Sequence, residues 1–429
     1  MSTQLTLGSV LASPSKVEAN HSTFTPNMKL PVHRWFRFTA GFSAEWVEQV
    51  LEDLPLPSDG CLFDPFAGSG TTLLAADRMG VRSLGVEAHT FVHRVAGSKL
   101  HWDSDPREFI DLAADVQSRA SRDHSIVSDY PELIQRCFPP PVLTQLDALR
   151  KAYEEVRDSR ACSDLIWLCL TSILRACSPV GTANMELIQP RKSKKNARQP
   201  LEAFRTQTQL MANDMRTFQD LAEKSRAEIY LDNARLCQTI PDCSVDLVLT
   251  SPPYANNFDY ADATRLELSF WGEVSGWKEL HSTIRHQLIV SCTQHANAEK
   301  LSIEEVLSRP GTEAIGEELG HICEQLAEER LLHGGRKSYH LMVAAYFSDM
   351  AATMRALRRV CRKGSKLCLV IGDSAPYGIY VPVDRWLGEL AVDAGFLEFR
   401  FEKTRERNTK WKNRKHRVPL HEGLLWIDG

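Results

Sequence analysis

Residues 250–254 read Thr-Ser-Pro-Pro-Tyr and follow directly on the apolar run "VDLVL". Such a run reads as a parallel strand buried on both faces. The two prolines end it: each lacks an amide donor, fixes φ and pushes the residue before it into an extended conformation. The resulting corner is stiff. It presents the Ser251 hydroxyl, carbonyl oxygens that no following amide is placed to cap, and the aromatic face of Tyr254. Ligands of open α/β sheets bind outside the carboxyl ends of the strands. Ser251, Pro252, Pro253 and Tyr254 are therefore candidate catalytic residues. An ordinary strand-to-loop stop has the same composition, and these residues alone do not separate the two readings.

A second constellation lies upstream. "DPFAGSGTT" (64–72) follows an apolar strand and opens a helix. Gly68 and Gly70 let the backbone turn tightly and approach a ligand that a Cβ would exclude. Thr71 and Thr72 lie beside the helix N-terminus, which attracts a carboxylate or phosphate. The lysine of a G-x-x-x-x-G-K-[ST] phosphate loop is absent, which argues against an NTPase. The next strand, "VRSLGVEA" (81–88), ends at Glu87, placed to bind ribose hydroxyls. Asp232 in "LDNARL" ends a later strand and is placed to take an adenine amino group. A glycine loop, a ribose acid and an adenine acid at three strand ends make a nucleoside site. Its expected members are Asp64, Phe66, Ala67, Gly68, Ser69, Gly70, Thr71, Thr72, Glu87, Asp232 and Asn233.

The elements that position these groups alternate as an α/β fold does. Residues 1–25 are rich in Ser and Thr, without period, and read as a flexible tail. Residues 26–100 hold the first part of the core, beginning with an amphipathic helix at 42–54 capped by Ser43. The alternation then stops, and helical patterns dominate 101–226. Residues 227–254 restore it, and 255–337 form a second, mainly helical interruption. The core resumes over 338–429, with helices at 340–361 and 382–394 and strands at 366–374, 397–404 and 423–428. The expected fold is a doubly wound, mostly parallel Rossmann-like core with two largely helical insertions. Long excursions of this kind are usually functional.

"DPFAGSGTT", Glu87, "YLDNARL" and "TSPPY" resemble the cofactor and catalytic motifs of the exocyclic amino-group DNA methyltransferases, the N4-cytosine and N6-adenine enzymes. The segment "PVHRWFRFTAGFSAEWVEQVL" (31–51) is similar to the stretch that precedes the glycine loop in that family. The resemblance covers roughly half the chain and leaves both insertions unmatched. It implies an AdoMet-dependent methyltransferase fold, S-adenosyl-L-methionine as cofactor, no metal and no covalent intermediate. It further implies that Ser251 Oγ and the Pro252 carbonyl accept the N–H bonds of a flipped-out base amine, while Tyr254 stacks on the base. Ser in the first tetrad position is typical of the N4-cytosine enzymes; Asp or Asn is typical of the N6-adenine enzymes. N4-cytosine is the leading expectation and N6-adenine the alternative. An RNA amino-methyltransferase and an inactive DNA-binding regulator are further alternatives. Cytosine C5 methylation needs a cysteine nucleophile, in a Pro-Cys context in its own family, and no cysteine here follows a proline.

Composition sets the partners. The chain of 429 residues is 43% hydrophobic and 25% charged, as in an ordinary globular protein. It has no apolar run of membrane-span length and no secretory signal, so a cytoplasmic protein with no membrane partner is expected. Eleven cysteines without a C-x-x-C pair read as reduced thiols. The net charge of −4 predicts no polyanion partner by itself, but the basic residues come in runs. "RKSKKNAR" (191–198), "KTRERNTKWKNRKHR" (403–417) and "RALRRVCRKGSK" (355–366) suggest a segregated basic surface for a phosphate backbone. The candidate contacts to double-stranded DNA are Lys192, Lys194, Lys195 and Arg198 in the first insertion, and Lys410, Lys412, Arg414 and Lys415 near the C-terminus. No acid-acid-lysine nuclease cluster is evident, so a cognate restriction endonuclease would be a separate chain.

Overall fold

The computed structural model describes residues 24–38, 41–123, 125, 127–182, 188–193, 196–222, 225–298, 300–407 and 418–429, with backbone only at 182, 188–193 and 298. Most of the expected tail, and Lys194, Lys195, Lys410, Lys412, Arg414 and Lys415, lie outside these residues.

The main sheet is built from β1 (Cys61–Asp64), β2 (Arg82–Val86), β5 (Ala227–Tyr230), β6 (Val245–Thr250), β7 (Cys361–Gly372), β8 (Glu398–Arg407) and β9 (Leu420–Asp428). Their order is β5-β2-β1-β6-β7-β9-β8, and β9 runs antiparallel to both its neighbours. All other pairings are parallel. This is the doubly wound, mostly parallel, Rossmann-like arrangement. The strand order reverses between β1 and β6, so the glycine loop and the Ser-Pro-Pro-Tyr corner leave adjacent strands at the switch point where such folds bind ligands.

Both faces of the sheet are covered, which is why its strands are apolar runs. Leu62, Leu247, Leu249 and Val370 pack under the helix Ala44–Asp53. Phe63, Val248, Leu369 and Ile371 face the helices Tyr339–Val360 and Val383–Asp393. The helix Ala44–Asp53 has Ser43 at its N-cap, but the serine side chain makes no capping bond. Asn27 caps instead: its Oδ1 accepts from the Ala44 amide at 2.9 Å while its Nδ2 donates to the Phe42 carbonyl.

The first insertion is helical over Pro106–Ala120, Glu132–Cys137, Pro140–Val156, Ala161–Cys177 and Pro200–Gln219. It differs from the expected basic loop in one respect. β3 (Val180–Thr182) and β4 (Ile188–Ser193) pair as an antiparallel hairpin, so Lys192 lies on a strand. The second interruption is shared between two cores. Ala261 to Ile284 join the first insertion's core, while Ile289 to Leu326 pack on the helix Tyr339–Val360. A half-buried ion pair seals the first junction: Arg175 Nε and Nη2 donate to the Glu267 carboxylate at 2.5 and 2.9 Å, and Glu267 is 0% exposed.

The third basic run does not form a free cationic face. Arg355, Arg358 and Arg359 donate to backbone carbonyls of Pro310, Gly395 and Ile240. Arg362 pairs with Asp246 and Lys366 with Asp428. Those side chains stitch β7 and its preceding helix to their neighbours. No helix among the described residues is long and apolar enough to cross a membrane.

Candidate active site

A cavity of about 300 Å³ opens over the carboxyl ends of β1, β2, β5, β6 and β7, within the range of small-molecule sites. One side is lined by Phe66, Gly68, Glu87, Ala88, His89 and Asn233, with Phe38 and Gly41 from the preceding segment. The other is lined by Ser251, Pro252, Pro253, Tyr254, Asn256, Tyr260, Val370, Arg405, Arg407 and Glu422. Gln287, Leu288 and Ile289 close it from the second interruption. The structure thus brings the two constellations into one cleft.

Gly68 has φ +52°, and a Cβ there would stand 3.4 Å from the Phe38 ring. That φ lies in the left-handed region that favours glycine, and a Cβ would add a contact to the Phe38 side of the cavity. Gly70, at φ +85°, does not line the cavity; a Cβ would press on Ala96 of the neighbouring helix at 3.4 Å. Its bareness serves helix packing and the left-handed turn, not close approach to a ligand.

Asp64 also differs from expectation. It is 1% exposed and does not reach the cavity. Its Oδ1 accepts from the Phe66 amide at 3.0 Å and the Thr250 hydroxyl at 2.6 Å, and its Oδ2 from Thr72 at 2.6 Å. One carboxylate thus ties the glycine loop to the residue before Ser251. Burial pushes it up to about 6, against the pull of those donors. Ala67, Ser69, Thr71 and Thr72 are buried behind the loop rather than in the cavity wall.

Glu87 does line the cavity. Its two oxygens accept from the His89 amide at 2.8 Å and the Gly68 amide at 2.9 Å. Burial pushes its carboxyl up to about 7. Asp232 does not line the cavity. β5 ends at Tyr230, and the Asp232 carboxylate turns back on its own loop, accepting from the amide and hydroxyl of Thr239, both at 2.8 Å. Asn233 takes its place at the wall, with Oδ1 held by the Arg235 amide at 2.9 Å and Nε at 3.0 Å.

The Ser-Pro-Pro-Tyr corner keeps its acceptors available. Ser251 Oγ donates to the Val370 carbonyl at 3.1 Å and is hydrogen-bonded to the Tyr254 phenol, which leaves one lone pair of Oγ to accept. Burial, with the nearby Glu422 carboxylate, pushes the Tyr254 phenol far up, so it stays neutral. Beyond the corner, Arg285 is 2% exposed and clamps Asp259 through Nε and Nη2, which fixes the loop 256–260. His33, Trp35, Phe36 and Phe42 are core packing and do not line the cavity.

Residues 13–97 match the DNA methylase family. That family is the exocyclic amino-group (N6/N4) DNA methyltransferases. It is 24% identical over 454 residues to the Type II methyltransferase M.BsoBI of Geobacillus stearothermophilus, across 94% of this chain and 87% of that one. It is 24% identical over 401 residues to the Type II methyltransferase M.AvaI of a Nostoc species, across 87% and 81% of the two chains.

A methyltransferase of this family uses S-adenosyl-L-methionine, and the cavity suits it. A partly buried carboxylate at the end of β2 offers acceptors for ribose hydroxyls, apolar walls stand on both sides, and Gly68 adds no side chain to the space between them. The cavity wall not foreseen from the sequence includes Phe38, His89, Gln287, Arg405, Arg407 and Glu422. Phe38 lay in the stretch 31–51 singled out ahead of the glycine loop, and Arg405 and Arg407 in the 403–417 basic tract; the others carried no signal. Of the expected DNA contacts, Arg198 alone has a described side chain, and it is exposed.

Proposed function

We propose that this chain transfers a methyl group to the N4 amine of cytosine in double-stranded DNA. The observation that carries the reading is Ser251, whose hydroxyl proton is donated to the Val370 carbonyl while Oγ remains in the cavity wall. An exocyclic amine is a weak nucleophile because its lone pair is delocalised into the ring. Ser251 Oγ and the Pro252 carbonyl accept its two N–H bonds, which favours a pyramidal nitrogen with its lone pair aimed at the donor. A neutral hydroxyl and a carbonyl suffice for the cytosine amine. Asp or Asn in that position is the N6-adenine pattern.

Bound S-adenosyl-L-methionine supplies an electrophilic methyl group on its sulfonium. Glu87, with Gly68 and Asn233 beside it, holds the nucleoside end. The prolines keep the acceptors rigid, and Tyr254 stacks on the extruded base. Alignment is the main part of the rate gain in such a transfer. The Type II relatives suggest a modification role alongside a separate endonuclease. The hairpin β3–β4 and the residues Lys410, Lys412, Arg414 and Lys415 are the proposed DNA contacts, the first reading bases and the second gripping phosphates.

The test is methylation of plasmid DNA by the purified protein, followed by mass spectrometry of the nucleosides and base-resolved sequencing. N4-methylcytosine is the expected product. N6-methyladenine in its place would overturn the cytosine assignment, and no modified nucleoside would overturn turnover itself.

A further inference from the structure

We propose that Arg407 is a positioning residue for Tyr254, an inference that rests on the stacking role given to that ring above. The Arg407 guanidinium carbon lies 5.3 Å from the centroid of the Tyr254 ring, within cation–π range. Its Nη1 donates to the Asp373 carbonyl at 2.7 Å, and its Nε lies 3.8 Å from the Glu422 carboxylate. Glu422 is 3% exposed and is itself held by Arg405 Nη2 at 2.9 and 3.1 Å. The guanidinium is therefore anchored by the end of β7 and by the β8–β9 pair.

Gly372 shows how tight this wedge is. A Cβ on it would stand 2.5 Å from Arg407 Nη1 and 3.2 Å from the Tyr254 ring. The end of β7 is bare where the cation and the ring meet it. Tyr254 follows two prolines on a loop, and Arg407 ties that loop to the sheet edge. A planar fork can donate to a carbonyl and lie over a ring at the same time, which a lysine ammonium does less well. Arg407 acts through the ring and needs no contact with the reacting atoms.

The test is a double-mutant cycle on plasmid methylation, with kcat and the DNA KM measured at saturating cofactor and AdoMet affinity measured by calorimetry. Arg407→Met should lower kcat by about two- to thirtyfold, the range of a cation–π contact, with AdoMet affinity and DNA KM little changed. Arg407→Lys should recover part of the loss. In a Tyr254→Ala background, already slow, Arg407→Met should cost nothing further, because the ring it positions is gone. An equal loss with and without Tyr254 would overturn the proposal, as would a rise in DNA KM with kcat intact, which would make Arg407 a DNA contact. Wild-type turnover in Tyr254→Ala alone would overturn the stacking role and this inference with it. A loss of AdoMet affinity in Arg407→Met would overturn the proposal too, because Arg407 would then serve the cofactor and not the ring.

Discussion

Two carboxylates at strand ends met different fates. Glu87 was legible because the acid sits one residue past β2 and the strand runs as its pattern suggests. Asp232 lies outside the cavity wall because the short acid has a competing partner in Thr239, the local bonding that Asp side chains favour in turns. Asn233→Ala should therefore weaken AdoMet binding directly, and calorimetry checks it. Glu87 also predicts a pH dependence. Its folded-state pKa lies above its ordinary 4.5, at about 7, so the fold disfavours the charged form. Its contribution to stability of the free protein falls as pH rises from about 4.5 through about 7. Ribose hydroxyls donate to the ionised form, so binding runs the other way. With a pKa of about 7 the ionised fraction rises from about one-tenth at pH 6 to about nine-tenths at pH 8. AdoMet affinity should strengthen over that interval, and Glu87→Gln should remove that part of the dependence. An unchanged pH profile in the variant would take Glu87 out of the cofactor site.

At the scale of elements, the long apolar strands and the two loops between strand and helix were readable, because buried parallel strands and glycine or proline stops leave strong local signals. The hairpin β3–β4 was not. Pro190 lies inside β4, and a proline argues against a strand except at an edge. The Asn27 cap was equally invisible, since it reaches across 17 residues to do what Ser43 beside the helix does not. Asp64 is the joint that makes two motifs into one site. Replacing it by alanine would strand the Phe66 amide and the hydroxyls of Thr72 and Thr250 in a buried place. Each buried group left without a partner costs about 1–3 kcal/mol. Asp64→Ala should lower the thermal midpoint, and AdoMet affinity and turnover should fall together because both loops lose the same tie. A variant that loses turnover while keeping midpoint and affinity would mean that Asp64 acts on the chemistry and not on the joint.

At the scale of the whole molecule, the two excursions were legible as breaks in the α/β rhythm, but their partnership was not, because no periodicity encodes the packing of segments so distant in the chain. Charge shows the same limit. Three basic runs looked alike in sequence, yet the one at 355–366 is engaged with carbonyls and acids of the core. The two that remain are the proposed DNA face. Neutralising Lys410, Lys412 and Lys415 together should weaken binding to cognate and random duplexes alike. It should also flatten the salt dependence by about 0.9 for each phosphate that the variant no longer neutralises. Titration at several salt concentrations checks this, and a wild-type slope would remove the tract from the interface. The partnership of the excursions has its own test. Tyr130 of the first stacks on Phe270 of the second at 5.6 Å, and Arg175 donates to Glu267 and to the Ala263 carbonyl. Glu267 is fully buried while Arg175 is partly exposed, so Glu267→Ala leaves a part-buried guanidinium without its carboxylate, a change that should cost less than the ~3–5 kcal/mol of a fully buried pair. The helix Arg265–Trp271 begins shortly after the loop 256–260 that borders the cavity. Unseating it should therefore reach the active site: Glu267→Ala should lower the unfolding midpoint in urea and reduce methyl transfer, while a conservative Glu267→Gln restores part of both. A destabilised Glu267→Ala with full turnover would show that the insertions stabilise the fold without shaping the loop beside Tyr254.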